Sequence, residues 1–195
     1  MRKITVTNNL TLDGVMQAPG GKEEDLRDNF PYGGWAAPYN DEVKGKKMAE
    51  GMSARPGGLL FGRRTYEHFF KVWPGRTDNP FSPVLDNTMK FVASRTMKEP
   101  LPWKNSTLLK GDAADAVAKL KQEGDDDLVI LGSGELIRSL MKRNLIDTFV
   151  LIIHPLVLGQ GRRMFDDQHG NLAKFTMSES IPTTTGCIIA TYTLA

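Results

Sequence analysis

The feature that most constrains this chain is a switch used twice: a short apolar run that ends at glycine and continues as a helix. Leu59-Leu60-Phe61 passes through Gly62 into a helical stretch over 65–72, and residues 127–131 pass through Gly132-Ser133-Gly134 into a helix over 135–143. Strands that are apolar on both faces belong to parallel sheets covered by helices on either side. Residues 90–94 and 107–110 read as further strands, and 112–123 as an amphipathic helix stopped by Gly124. At the start of the chain, residues 3–12 alternate apolar and polar up to the turn Asp13-Gly14. At its end, the nearly continuous apolar stretch 147–158 and the segments 176–179 and 187–194 read as closing strands, the last two antiparallel. The expectation is an α/β fold whose sheet turns mixed at its end. No repeat, low-complexity tract or long linker interrupts 1–195, which therefore reads as one domain.

Composition removes several classes of function. The 195 residues are 40% hydrophobic, and 25 Lys and Arg face 23 Asp and Glu for a net charge of +2. A chain of this make-up folds, and its interleaved charges give little footprint for nucleic acid. The longest strongly apolar run, 149–153, is far short of the roughly 20 residues that a membrane helix needs. The single Cys187 can make neither an internal disulfide nor a cysteine-rich zinc site. A cytoplasmic protein that works on small molecules is expected.

Between the first strand and the helix that Asn40 or Asp41 can cap, residues 17–39 carry Pro19-Gly20-Gly21, Pro31, Gly33-Gly34 and Pro38, too many breakers for a regular element. Phe30, Tyr32 and Trp35 give this loop apolar anchors, and a lid over a site is the functional expectation.

Three strand ends bear chemistry. Gly62-Arg63-Arg64-Thr65 sets two guanidiniums and a hydroxyl at a helix start, where free N–H groups and the helix dipole attract anions and arginine adds forked, permanent donors. The plain alternative is a glycine that eases a turn beside two solvated arginines. Gly132-Ser133-Gly134-Glu135-Leu136 lets a diphosphate approach the backbone, although Ile137 stands where a dinucleotide fingerprint has its third glycine. Ser94-Arg95 adds a hydroxyl and a guanidinium suited to a further phosphate. As a set they suit a ligand with several phosphates laid across the edge of a sheet. ATP fits that logic too, but no G-x-x-x-x-G-K-S/T loop is present.

Thr11-Leu12-Asp13-Gly14, Phe61-Gly62-Arg63-Arg64-Thr65-Tyr66, Ser94-Arg95, Leu131-Gly132-Ser133-Gly134-Glu135 and His154-Pro155-Leu156-Val157-Leu158-Gly159-Gln160-Gly161 resemble, in order and separation, the dihydrofolate reductase superfamily. The closer resemblance is to its bacterial branch related to the reductase domain of the riboflavin-pathway protein RibD, and it extends over roughly 4–165. It implies a dihydrofolate-reductase-like three-layer fold with a central mixed, mostly parallel sheet and antiparallel C-terminal strands, NADPH as hydride donor, and a homodimer. Carried to matching positions, it places Gly62, Arg63, Arg64 and Thr65 on the cofactor phosphates, Ser94 and Arg95 beside the adenine ribose, and Gly132, Ser133, Gly134, Glu135 and Leu136 along the diphosphate and nicotinamide side. Backbone near Asn9 and Met16 would meet the nicotinamide ring, although Gln17 stands where folate reductases usually have glycine.

On the substrate side the resemblance implies an acid on the helix after the first loop. Asp41 and Glu42 occupy that region, and both also suit a helix N-terminus as partners of the dipole. Asp13 and Trp35 are the candidate substrate contacts; Asp13 serves equally to shape its own turn. The zinc deaminase signature of some riboflavin-pathway proteins is missing. Asp166, Asp167 and His169 could hold a metal but read better as a solvated turn, while His68 and His154 read as packing histidines. Phe69, Phe70 and Trp73 follow Tyr66 at helical spacing and belong to a core, with room for one or two to wall a pocket. The resulting expectation is an NADPH-dependent reductase acting on a small heterocycle of pterin or pyrimidine type. Its rivals are a non-catalytic nucleotide-binding homodimer of the same fold and a purely structural dimer module.

Overall fold

In the computed structural model, which describes residues 1–53, 57–165 and 172–195, eight strands pair in the order β4-β3-β2-β5-β1-β6-β8-β7. They are β1 (Ile4–Thr11), β2 (Gly58–Gly62), β3 (Lys90–Ala93), β4 (Ser106–Leu109), β5 (Leu128–Leu131), β6 (Thr148–His154), β7 (Phe175–Pro182) and β8 (Ile188–Leu194). The helices are α1 (Glu42–Ser53), α2 (Arg63–Val72), α3 (Phe81–Asn87), α4 (Ala113–Gln122) and α5 (Gly134–Met141). The sheet is mixed and mostly parallel, as the apolar runs imply. The helix α3 has no counterpart among the elements expected from the sequence. Pro80 is its N-cap and Pro83 lies in its first turn, where a missing N–H costs no helical bond.

The chain divides into two compact units. The first comprises Met1–Val6 and Ala49–Asp147. In it β4, β3, β2 and β5 pair in parallel, with Leu60 beside both Phe91 and Ile130. Its core joins Leu59, Phe61, Tyr66, Leu85, Val92 and Trp103, with Phe69, Phe70 and Trp73 packed against them. The aromatic residues spaced along α2 are thus core, as their period implies.

Lys90 pins one side of this unit. It is fully buried, and its Nζ donates to the carbonyls of Asp86 (3.1 Å), Thr88 (2.8 Å) and Lys104 (3.1 Å) while lying 4.3 Å from the centroid of the Trp103 ring. Trp103 in turn donates its indole N–H to Asp86 Oδ1 at 2.6 Å. One ammonium thereby satisfies carbonyls at the end of α3 and in the approach to β4, while the ring face takes the remaining charge.

The second unit comprises Thr7–Met48 and Thr148–Ala195. Here β8 pairs antiparallel with both β6 and β7. β6 ends at His154, short of the expected 158, because Pro155 has no N–H to extend a ladder. Residues 17–39 form an anchored layer with two short 3-10 turns, Arg27–Asn29 and Ala37–Tyr39. Val15, Ala18, Phe30, Trp35 and Ala36 make its core, while Tyr32 is exposed. Gln17 organises this layer. Its buried side chain donates to the carbonyls of Asp25 (3.2 Å) and Arg27 (2.9 Å) and accepts from Arg162 N (2.9 Å), and its own carbonyl accepts the Trp35 indole N–H at 2.7 Å.

Replacing Lys90 by Met leaves buried carbonyls without their donor, and we expect a loss of about 2–4 kcal/mol in urea unfolding. A variant within about 0.5 kcal/mol of the parent would show that the ammonium is dispensable.

Candidate functional site

In the first unit, parallel pairing brings the C-terminal ends of β2 and β5 side by side, so that their glycine turns meet. Gly62 N donates to Ser133 Oγ at 3.0 Å, and Ser133 N donates to Thr65 Oγ1 at 3.1 Å. Ser133 sits in the left-handed region (φ 58°, ψ 46°) as the N-cap of α5 and is buried. Gly132 also has positive φ, and a Cβ there would approach Thr65 Cγ2 to 3.1 Å. The glycine is required both by its backbone angle and by the closeness of α2. Two helix N-termini, α2 and α5, are in this way fastened together at one sheet edge. Their first-turn N–H groups lack intrahelical acceptors, which makes the edge an anion cradle.

The charged side chains around it differ in availability. Arg63 is bound to both carboxylate oxygens of Glu67 at 3.2 Å, one turn along α2. Arg64 is exposed and makes no hydrogen bond or ion pair among the described residues. Glu135 pairs with Arg138 at 2.7 Å, and Leu136 is buried behind it. β3 lies beside β2 with Ala93 paired to Gly62, so Ser94 and Arg95 follow at the same edge. Ser94 Oγ accepts from Thr96 N (3.1 Å) and Met97 N (3.0 Å), shaping the turn, and Arg95 is exposed with no partner among the described residues. The structure brings Gly62, Arg63, Arg64, Thr65, Ser94, Arg95 and 132–136 to one edge. It commits the Gly62 N–H to Ser133 and leaves Arg64 and Arg95 as the uncommitted cations. The two helix starts, held close by Gly132, and these cations fit a dinucleotide phosphate chain.

In the second unit the candidate acid Asp41 is occupied. One oxygen accepts from Lys44 N at 2.8 Å, capping α1; the other accepts from Thr184 N (2.6 Å), Thr184 Oγ1 (2.7 Å) and Thr185 N (3.3 Å). These donors, led by Lys44 N, hold its carboxyl down at about 2. Asp41 is therefore an ionised clamp between α1 and the β7–β8 turn, which corrects the expectation of a proton donor there. Glu42 is exposed in the first turn of α1.

Asp13 also serves its own surroundings. Its carboxylate accepts from Thr11 Oγ1 (2.6 Å), Leu158 N (3.2 Å) and Gly159 N (3.0 Å), and Arg163 lies at 3.4 Å. Burial opposes ionisation, but these hydrogen bonds prevail and its acidity is raised. Met16 N donates to the Arg162 carbonyl at 2.9 Å.

A polar cluster lies within this unit that the sequence does not announce. His154 is fully buried; its Nε2 is 2.9 Å from Asn9 Oδ1 and its Nδ1 3.3 Å from Cys187 Sγ. Trp35 and Tyr39 meet the imidazole edge-on, with centroids at 5.1 and 5.3 Å. The consistent protonation is a neutral ring that donates from Nε2 to Asn9 and accepts the Cys187 thiol at Nδ1. Burial, with the Lys44 charge adding, lowers the imidazole to about 4. His154 is thus a packing histidine, as read. The only local signal for this cluster is helical phase, which sets Lys44 on the face of Met48, a residue packed on Ile152, Cys187 and Ile189. Asp166, Asp167 and His169 lie outside the described residues.

Residues 2–189 match the family described as the RibD C-terminal domain. The chain is similar to the uncharacterized protein YyaP of Bacillus subtilis (strain 168), 28% identical over 113 residues; the match takes in 56% of this chain and spans 59% of that protein. Among solved structures, a putative riboflavin biosynthesis protein from Shewanella sp. PV-4 superposes with a TM-score of 0.75 at 24% identity, over 99% of both chains. The dihydrofolate reductase of Enterococcus faecalis, solved with NADP(H), gives 0.61 at 14% identity over 98% of this chain and 96% of that one. At such identities the likeness establishes the fold, which is dihydrofolate-reductase-like, as the resemblance implied.

The His154 cluster has a signature in acid. Unfolded, the imidazole takes up a proton near 6.5; folded, it stays neutral to about 4. The contribution of His154 to stability is expected to fall as pH drops from about 6.5 toward 4 and to level off below that. In an NMR titration the His154 ring should stay neutral at pH 5.5; a midpoint near 6.5 would refute the buried, neutral assignment.

Proposed function

This chain belongs to the RibD C-terminal domain family, and on that footing we propose that it is an NADPH-dependent reductase that passes a hydride to a small, electron-poor heterocycle. The observation that carries this reading is the fastened pair of glycine turns, with Ser133 holding Gly62 and Thr65 at hydrogen-bond distance. A rigid anion cradle built from two helix starts is what a dinucleotide with several phosphates requires.

In this reading the first-turn N–H groups of α2 and α5 and the Thr65 hydroxyl hold the diphosphate. Arg64 and Arg95 neutralise the additional phosphate that separates NADPH from NADH. Bound NADPH supplies the hydride; the protein supplies alignment and exclusion of water. Asn9 and Met16 remain proposed backbone contacts for the nicotinamide, and Asp13 and Trp35 shape the substrate end through the turn and the layer they hold. The proton that balances hydride transfer comes from a group other than Asp41, whose carboxylate stays ionised.

That same commitment of Asp41 favours a second reading: a nucleotide-binding protein of this fold without catalysis. The two separate on turnover. A reductase oxidises NADPH faster with one of a panel of pterins, pyrimidines and enones, whereas a binding protein holds NADPH and accelerates none.

Titration with NADPH and NADH tests the cofactor assignment. We expect NADPH to bind at least about tenfold more tightly than NADH, and the double variant Arg64→Ala, Arg95→Ala to erase the difference. No binding of either nucleotide would remove the reductase reading.

A further inference from the structure

The second unit contains a charged side chain that its surroundings cover but do not use. Lys44, in the first turn of α1, is 8% exposed, and its backbone N–H is bonded to Asp41. Its ammonium makes no hydrogen bond or ion pair among the described residues. A small part of this long side chain remains exposed.

The groups around Lys44 have spent their capacity on one another. His154 uses both ring nitrogens on Asn9 and Cys187, and Cys187 takes a further contact from Thr185 Oγ1 at 3.9 Å. The Asp41 carboxylate already accepts four hydrogen bonds and attracts the ammonium only at a distance. Burial pulls the amine of Lys44 down, against the attraction of Asp41. A covered cation with three unused donors is costly, and an oxyanion offers more compensation than a partial water shell. The rings of Tyr39 and Trp35 stand against the imidazole on which the Lys44 charge acts.

We propose that Lys44 is the anion-recognition group for the substrate: the small molecule taken by this protein carries a carboxylate or ring oxyanion that accepts hydrogen bonds from its ammonium. The assignment of that anion to the substrate rests on the reductase reading; the anion site itself does not. Neither Asp41 nor His154 competes for the role, since one is negative and committed and the other neutral and sealed. A bare inorganic anion would need the charge but not the aromatic setting, which is why a carboxylated ring is the occupant of choice.

The experiment is calorimetric titration of the whole chain with matched pairs that differ by one carboxylate: orotate against uracil, and pterin-6-carboxylate against pterin, with acetate as the bare anion. In at least one pair we expect the carboxylated member to bind about tenfold or more tightly than its neutral partner. Lys44→Met should abolish that preference and Lys44→Arg should keep it. Equal affinity within both pairs, an absence of binding by any carboxylated ring, or a preference that survives in Lys44→Met would each overturn the proposal. Acetate binding as tightly as the carboxylated rings would overturn the assignment to substrate. NADPH is titrated separately into the unmodified chain: its failure to bind sinks the reductase reading alone, and the anion preference is then judged on the paired titrations.

Discussion

The contact on which the candidate cofactor edge depends is the small knot at Ser133. Its hydroxyl receives the Gly62 N–H and its own N–H goes to Thr65, so two strand-to-helix turns far apart in sequence hold each other in place. The arrangement keeps Ser133 in a left-handed backbone conformation that costs a non-glycine residue roughly 1 kcal/mol or more. That cost is offset by bonds that no freely rotating turn would make. Because the cradle is assembled before any ligand arrives, little ordering remains to be done on binding.

The second unit is organised by polar groups that satisfy one another. Asp41 joins a helix start to a hairpin turn, Gln17 joins the two ends of a long irregular layer, and His154 sits between Asn9 and Cys187. Each could read as chemistry in isolation. Their partners instead identify them as structural, and what distinguishes Lys44 is that it lies in the same surroundings with its charge unmatched.

How much of this was legible in the sequence depends on the range of the interaction. The apolar runs of β2 and β5, their glycines and the amphipathic α4 follow from local period and local backbone freedom, and they appear within a residue or two of where the pattern puts them. The capping role of Asp41 was also local, since it acts three residues ahead. Its other role was not, because Thr184 lies 143 positions away and nothing near Asp41 announces it. Gln17 was legible only as a departure from glycine, and its work on Asp25, Arg27 and Arg162 became visible once the layer was folded. No expected element covers α3, although prolines in a first turn are compatible with a helix, and the end of β6 was set by Pro155 against a continuing apolar run.

The double duty of Asp41 bears on how the second unit moves. A carboxylate that caps α1 with one oxygen and closes the β7–β8 turn with the other makes these elements share a single opening event. Fraying of the helix start releases the hairpin tip, and loosening of the tip uncaps the helix. Amide hydrogens at 44, 184 and 185 therefore belong to one exchange unit although they come from opposite ends of the chain. A ligand that steadies Lys44 would slow exchange at the tip of a hairpin it never touches.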